Sequence, residues 1–129
     1  MSRSHRLGEL QLAIMRVLWQ EGEATVATVH AALREQGDRA LTTIATMLKK
    51  MEAKGVVTHR ADGRQFVFRP IVSEEAVKRT MVRDLTSSLF AGDVAALVTH
   101  LIDQEGIDAD ELAELRAKIA EREAEEDEA

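Results

Sequence analysis

The sequence contains no cysteine among its 129 residues, and this absence removes several classes of function at once. Disulfide-stabilised folds, thiolate metal centres and a cysteine nucleophile are all excluded. Aromatic residues are sparse, with one tryptophan, three phenylalanines and no tyrosine. No apolar run reaches the roughly 20 residues of a membrane-spanning helix, and no stretch resembles the apolar part of a signal peptide. We therefore expect a cytoplasmic protein that does not bind a membrane directly.

Features typical of enzymes and metal sites are also scarce. The four histidines are far apart in the sequence and lack ligand spacing such as His-Glu-x-x-His. Each is more readily explained as a surface or packing residue than as a ligand. No glycine-rich phosphate loop is present either. These observations predict a protein that is not an enzyme and that holds no metal or cofactor.

Charge is distributed unevenly along the chain, whose formal net charge is −6. Residues 1–80 contain 13 Lys and Arg against 9 Asp and Glu, whereas residues 81–129 contain 4 against 14. Affinity for a polyanion depends on the local field and not on the net charge of the whole chain. The basic first part is therefore compatible with nucleic-acid binding, and the acidic second part indicates another role.

The stretch from Ala40 to Gly55, ALTTIATMLKKMEAKG, is the most informative in the chain. Ile44, Leu48 and Met51 recur at helical spacing and predict a helix with one buried face. The opposite face carries hydroxyls and amines, contributed by Thr42, Thr43, Thr46, Lys49 and Lys50.

Threonine at these positions is unusual for a helix chosen by propensity alone, although Thr42 and Thr43 also lie where an N-cap is expected. Its hydroxyl can bond a base edge and its methyl can contact a thymine methyl, while lysines one turn later reach phosphates. A solvated face that happens to carry threonines is the simpler alternative. On the first interpretation, this helix is the recognition helix of a DNA-binding protein.

The segments on either side support that interpretation. The apolar positions of LGELQLAIMRVLWQ predict a first helix, and Thr25 is a suitable N-cap for a second helix through about Gln36. A short turn from Gly37 to Ala40 then gives a helix-turn-helix. Arg39 lies beside this turn and is a candidate DNA contact, or simply a residue that favours solubility.

After Gly55 the periodicity changes to the alternation of a β-ribbon, in VVTHRADGRQFVFRP. Asp62-Gly63 is a strong hairpin signal, and Pro70 ends the second strand. Arg60 and Arg64 flank the tip, where a hairpin would meet a phosphate backbone. Three helices and a basic hairpin are the order of a winged helix, which we assign to residues 7–71, with recognition helix 42–54 and wing 57–69.

The apolar pattern of residues 72–120 predicts three amphipathic helices, with N-cap signals at Ser73, Asp93 and Asp108. About 50 residues of this kind cannot bury much apolar surface alone, so we expect packing against a second copy. The fold class is thus mainly α with a small β-hairpin, an N-terminal winged helix-turn-helix followed by a three-helix dimerisation region. The expected dimer residues are Leu85, Leu89, Val94, Leu97, Val98, Leu101, Ile102, Leu112 and Leu115. Residues 121–129 predict a disordered acidic tail, because their negative charge opposes the helix dipole.

Four segments together resemble the penicillinase repressor family of bacterial transcription regulators, also called BlaI/MecI/CopY. They are LGELQLAIMRVLW, TTIATMLKKMEAKG, VVTHRADGRQFVFRP and DADELAELR. The resemblance implies a homodimeric winged-helix repressor that binds a palindromic double-stranded DNA operator until a signal arrives. It further implies that Thr42, Thr43 and Thr46 read bases, and that Lys49, Lys50 and Arg64 hold phosphate.

The same resemblance suggests how repression ends. In the best-known relatives a membrane-anchored zinc protease system causes cleavage of an Asn-Phe bond in the dimerisation region. The corresponding pair here is His100-Leu101, which departs from that pattern. The copper-responsive branch uses C-terminal cysteines, so copper sensing through thiolates is excluded.

Two other functions are compatible with a winged helix. The domain can serve as a protein-interaction module, because fold alone does not fix function. It can also belong to a ligand-responsive regulator of another winged-helix family, although no polar cluster suited to a ligand is visible. A docking module has no need for lysines and arginines beside a row of threonines, so charge placement favours DNA.

Overall fold

The structure, a computed structural model, describes residues 7–128. Within them the chain forms α1 (Glu9–Glu21), β1 (Ala24–Thr25), α2 (Val26–Ala32), a 3-10 turn (Arg34–Gln36), α3 (Leu41–Lys54), β2 (Val57–Asp62), β3 (Gln65–Pro70), α4 (Glu74–Phe90), α5 (Val94–Gln104) and α6 (Ala109–Glu128). The predicted class, mainly helical with a winged helix-turn-helix at the N-terminus, is confirmed.

The chain divides into two compact units between Asp84 and Leu85, inside α4. The sequence pattern predicts an earlier domain boundary, after residue 71, where the winged helix was expected to end. The difference arises because the first half of α4 belongs to the N-terminal core, where Val77 is buried and Met81 packs against the buried cluster. Val77 and Met81 are four residues apart and therefore lie on the same side of the helix.

The core of the N-terminal unit is built around α3. Ile44, Leu48 and Met51 are almost completely buried, as their spacing predicts. They join a cluster drawn from α1, α2, the sheet and α4, whose other main members are Ile14, Met15, Leu18, Val29, Val56, Val57, Phe68 and Val77. Burying one stripe of α3 leaves its opposite face for a partner.

The sheet has three strands in the order β1-β3-β2, all antiparallel, where the sequence predicted a two-stranded ribbon. The additional strand is only two residues long, too short to give a periodic signal. It pairs Ala24 with Phe68 and Thr25 with Val67. On β3, the central strand, Val67 and Phe68 are both buried although they point to opposite faces.

The hairpin lies where the Asp-Gly signal predicts, but its turn is shifted by one residue. Asp62 pairs with Gln65, so the two loop residues are Gly63 and Arg64. Gly63 has φ +64, a conformation that favours glycine, whereas Arg64 does not have positive φ. Glycine first in a two-residue loop is the arrangement of a type II′ turn. Arg64 therefore lies at the very tip of the wing.

Helix starts agree with the sequence at four of five predicted caps. The side chains of Thr25, Ser73 and Asp93 accept backbone hydrogen bonds, and Asp108 and Glu111 form a reciprocal capping box. The exception is α3, which begins at Leu41 with Ala40 as an N-cap that makes no side-chain bond. Thr42 and Thr43 are thus in the first turn, and their hydroxyls are not needed as caps.

The C-terminal unit leaves much apolar surface in contact with solvent. Neither α5 nor α6 has a buried residue. The expected dimer residues are all exposed except Leu97 and Leu112, which are half-buried.

The acidic tail differs from the prediction of disorder. α6 continues to Glu128, and Ala129 lies outside the described residues. Alanine and glutamate have high helix propensity, and here this outweighs unfavourable charge at the helix end.

No single helix within residues 7–128 is both long and apolar enough to cross a membrane. Only α4 and α5 taken together as a bent pair reach the necessary length and composition.

We predict that Leu48→Ala lowers the free energy of unfolding by about 2–5 kcal/mol, because it empties a fully buried site. Leu41→Ala, on the same helix but 49% exposed, should cost less than about 1.5 kcal/mol. Urea unfolding followed by Trp19 fluorescence measures both. Equal losses in the two variants would contradict the assignment of the buried face.

Candidate nucleic-acid interface

The outer face of α3 carries the predicted hydroxyls and amines, all in contact with solvent. Thr42, Thr43, Thr46, Lys49 and Lys50 are each exposed. Since the opposite stripe is fixed in the core, the helix cannot rotate these side chains inward. The surface is therefore a permanent feature of the folded domain.

The wing lies alongside α3 and is tied to it by a side-chain hydrogen bond. Glu52, on the flank of α3, accepts a hydrogen bond of 2.8 Å from Nδ1 of His59 on β2. At the other end of the hairpin, Leu41 and Arg64 line the same cleft. The wing thus runs back along α3, from the end of the helix toward its start. Helix and hairpin form one continuous surface.

Three rings stiffen the side of the wing that faces α3. His59 stacks on Phe66 with ring centroids 4.2 Å apart, and Phe68 lies 5.3 Å from His59. His59 and Phe68 are directly opposite each other across β2 and β3. Cross-strand aromatic pairs of this kind stabilise a hairpin. The hydrogen bond between His59 and Glu52 therefore connects α3 to the aromatic cluster and, through it, to both strands of the hairpin.

Arg60 is not free, although the sequence grouped it with the phosphate-binding residues. Its guanidinium donates hydrogen bonds of 2.9 and 3.4 Å to the two carboxylate oxygens of Glu23, in the loop between α1 and β1. This hydrogen bonding lowers the pKa of Glu23 from its ordinary value and raises the pKa of Arg60. Both side chains are about half exposed, so the pair is a weak surface interaction.

Arg39 is also placed differently from the α3 cations. It is half-buried, and its guanidinium lies over Gly37, where a Cβ atom would be 2.9 Å from Nη1. Its carbonyl accepts a hydrogen bond of 2.7 Å from Nε2 of His30. Arg39 lines a cleft with residues of α1. The backbone carbonyl of Arg39 thus helps to fix the turn before α3, and its guanidinium lies near α1 and is not grouped with the helix face.

Lys49, Lys50 and Arg64 remain available for an anion. Within residues 7–128 none of the three forms an ion pair or a side-chain hydrogen bond. They lie on the exposed face of α3 and at the wing tip, beside the threonine row. Cations without partners next to short hydroxyls are suited to phosphate and base edges.

The pair His100-Leu101 lies in the interior of α5. Both residues are exposed, and the ring of His100 packs edge-on against Phe90 at 5.7 Å. A protease that needs an extended substrate reaches this bond only after local unfolding of the helix.

Sequence reasoning missed the residues that hold the interface in shape. Glu23 gave no signal, because its partner is 37 residues away. Glu52 looked like one more polar helix residue, and only its position seven residues before His59, across a helix-strand junction, hints at the pair. Residues two apart in a strand share a face, so the alternation in the wing was a signal that could have placed Phe66 and Phe68 together.

Three helices, the second and third forming a helix-turn-helix, followed by a hairpin along the third, define a winged-helix protein of the DNA-binding class. The chain belongs to the penicillinase repressor family, whose family model matches residues 7–121.

Two sequence relatives align with almost the whole chain. Transcriptional regulator BlaI of Mycobacterium tuberculosis is 36% identical over 126 residues, which cover 96% of this chain and 90% of the relative. Methicillin resistance regulatory protein MecI of Staphylococcus aureus is 21% identical, with 89% and 94% covered. A solution structure of the DNA-binding domain of the repressor BlaI matches 57% of this chain and 90% of its own, with 28% identity and a TM-score of 0.51.

We predict that the carboxyl group of Glu23 titrates below the ordinary glutamate range and returns to it in Arg60→Ala. Because the pKa is lowered in the folded state, the pair is intact above the ordinary value and is lost as pH falls through the lowered one. Carboxyl-carbon NMR titration measures this. An unchanged Glu23 titration in Arg60→Ala would show that Arg60 is not the cause.

Proposed function

We propose that this protein is a non-catalytic, DNA-binding transcriptional repressor that acts as a homodimer on a pseudo-palindromic operator. The observation that carries the proposal is the surface of α3 and the wing. It presents Lys49, Lys50 and Arg64 without partners beside an exposed threonine row. Membership of the penicillinase repressor family supports the same function.

In this proposal α3 enters the major groove. Thr42, Thr43 and Thr46 contact base edges, because their short side chains allow the helix to approach closely. Lys49 and Lys50, further along the helix, bind phosphates beside the groove, and Arg64 binds phosphate from the wing tip.

The two remaining arginines have more limited roles in this proposal. Arg60 reaches phosphate only when it leaves Glu23, an exchange that costs little at an exposed site. Arg39 acts indirectly, by fixing the turn that orients α3.

The exposed apolar residues of the C-terminal helices supply the dimer contact. Val94, Val98, Leu101 and Ile102 lie along one side of α5 and are all exposed. Apolar rows of this length are typical of protein interfaces. Two-fold symmetry then places the two α3 helices on half-sites about one helical turn apart, or a multiple of it. Bound there, the dimer represses by excluding the polymerase.

The two alternatives have less support. A protein-interaction module does not account for the unpaired cations of the α3 face. A ligand-responsive mechanism has one feature in its favour, a cleft of about 440 Å³ lined by residues of α1, α2 and α4 that include Arg16, Trp19 and Glu74. This cleft is compatible with an effector that acts on the repressor, and so it modifies the proposed function without replacing it.

Release of the operator through a membrane-sensor metalloprotease pathway is part of the proposal by family resemblance. Hydrolysis of His100-Leu101 would divide the apolar side of α5, leaving Val94 and Val98 on one fragment and Ile102 on the other. The dimer contact would be lost while the winged helix stayed intact. Such a mechanism requires α5 to open locally before cleavage.

We predict different effects for the two kinds of interface residue. Lys50→Ala or Arg64→Ala should weaken binding to all duplexes alike and reduce the slope of log affinity against log salt by about 1.8, because each phosphate contact contributes about 0.9 and the dimer loses one contact in each protomer. Thr46→Ala should instead change base preference. Fluorescence anisotropy across a salt series and selection from random duplexes measure the two effects.

Lys118→Ala, a cation in α6 outside the interface, is the matched control and should leave the salt slope unchanged. If the threonine variant selected the same motif as the wild type, direct base reading by Thr46 would be wrong.

We predict that Leu101→Asp dissociates the dimer and lowers operator affinity by about 1000-fold, because two half-site contacts no longer act together. The winged helix should stay folded, since Leu101 lies in the other compact unit. Thr99→Asp places the same charge on the opposite side of α5 and should leave the dimer intact. Sedimentation and duplex titration test both variants, and full operator affinity in a monomeric Leu101→Asp would contradict the dimer mechanism.

A further inference from the structure

Two of the few large apolar side chains that the N-terminal unit leaves outside its core line the same cleft. Leu41, the first residue of α3, is 49% exposed, and Phe66 of the wing is 47% exposed. They lie on opposite sides of a cleft of about 310 Å³. Its other lining residues are Thr25, Val26, Ala27, Arg64 and Gln65. An apolar lining is unexpected on a surface otherwise made of hydroxyls and amines.

The wall formed by Phe66 is fixed in place. Its ring stacks on His59 at 4.2 Å, and His59 is held by the carboxylate of Glu52 at 2.8 Å. The opposite wall is the start of α3, whose rotation is set by its buried stripe. Ala27 and Val26 close the cleft at the start of α2. The cleft is therefore formed before any partner arrives.

The position and charge of the cleft indicate its occupant. Its lining includes Leu41, which directly precedes Thr42 in α3, and Arg64, which has no partner among the described residues. A partner must then combine a small apolar group with a nearby negative charge. The major groove of DNA offers one such apolar group, the C5-methyl of thymine, with the backbone phosphate beside it. The first residues of a recognition helix are those that reach base edges.

We propose that this cleft receives the methyl group of one thymine in each operator half-site, so that Leu41 and Phe66 determine specificity. The inference rests on the proposed function, because it requires α3 to enter the major groove. Two half-exposed side chains offer too little area for a stable protein interface, which needs about 800 Å² from each partner. Recognition is by apolar contact and shape, without a hydrogen bond to the base.

The test uses the full-length dimer and a duplex chosen by the wild-type protein from random sequences. Each thymine of that duplex is replaced in turn by deoxyuridine, which removes only the methyl group. One position in each half-site should lose about fourfold in affinity for the wild type, the value of one buried methyl group. Leu41→Ala and Phe66→Ala should bind the thymine and deoxyuridine duplexes equally at that position.

Ile71→Ala is the matched control, because Ile71 is also 49% exposed but lies outside the cleft. The Ile71→Ala variant should still lose about fourfold in affinity when that thymine is replaced by deoxyuridine. Circular dichroism verifies that each variant is folded, and the two cleft variants provide independent tests. A wild-type protein that binds no duplex contradicts the proposed function itself. A selected duplex with no invariant thymine, or a methyl effect that persists in both cleft variants, overturns the inference while leaving the proposed function in place.

Discussion

Burial of a single stripe of α3 is the constraint on which the rest of the N-terminal unit depends. Ile44, Leu48 and Met51 are inserted in the core, so the helix has one allowed rotation. Its flanks are then held from both sides. Gln11 of α1 accepts a hydrogen bond of 2.8 Å from Lys54, and His59 of the wing donates one to Glu52. A helix fixed by its core and by both neighbours presents its threonines without any rearrangement, and this reduces the entropy cost of binding.

The wing shows how a small sheet obtains rigidity from neighbours. A two-stranded hairpin is marginally stable by itself. Here it gains a third strand, β1, a cluster of three rings, and side-chain contacts to two other parts of the fold, with Glu52 of α3 and with Glu23 in the loop after α1. The two contacts differ in consequence. The first orients the hairpin along α3, whereas the second connects the hairpin to the loop after α1 through Arg60 and Glu23.

Most of the fold could be predicted from local patterns, because each helix carries its own periodicity and most carry their own caps. The capping box at Asp108 and Glu111 is an example, readable from two residues three apart. What could not be predicted depends on distant partners. β1 exists only because β3 pairs with it, and Arg60 is occupied only because Glu23 lies across the fold. The acidic tail was misjudged for a different reason, because propensity and charge act in opposition there and the sequence does not say which prevails.

In the proposed dimer, the apolar row along α5 would make operator occupancy depend on the cellular concentration of the protein. If two copies must meet before either can hold its half-site firmly, operator occupancy at low abundance rises with the square of the copy number and not in proportion to it. Halving the cellular pool, by dilution during growth or by slower synthesis, would then reduce the assembled form about fourfold. A modest fall in supply would thus produce a sharp onset of transcription, with no change to any residue that touches the duplex.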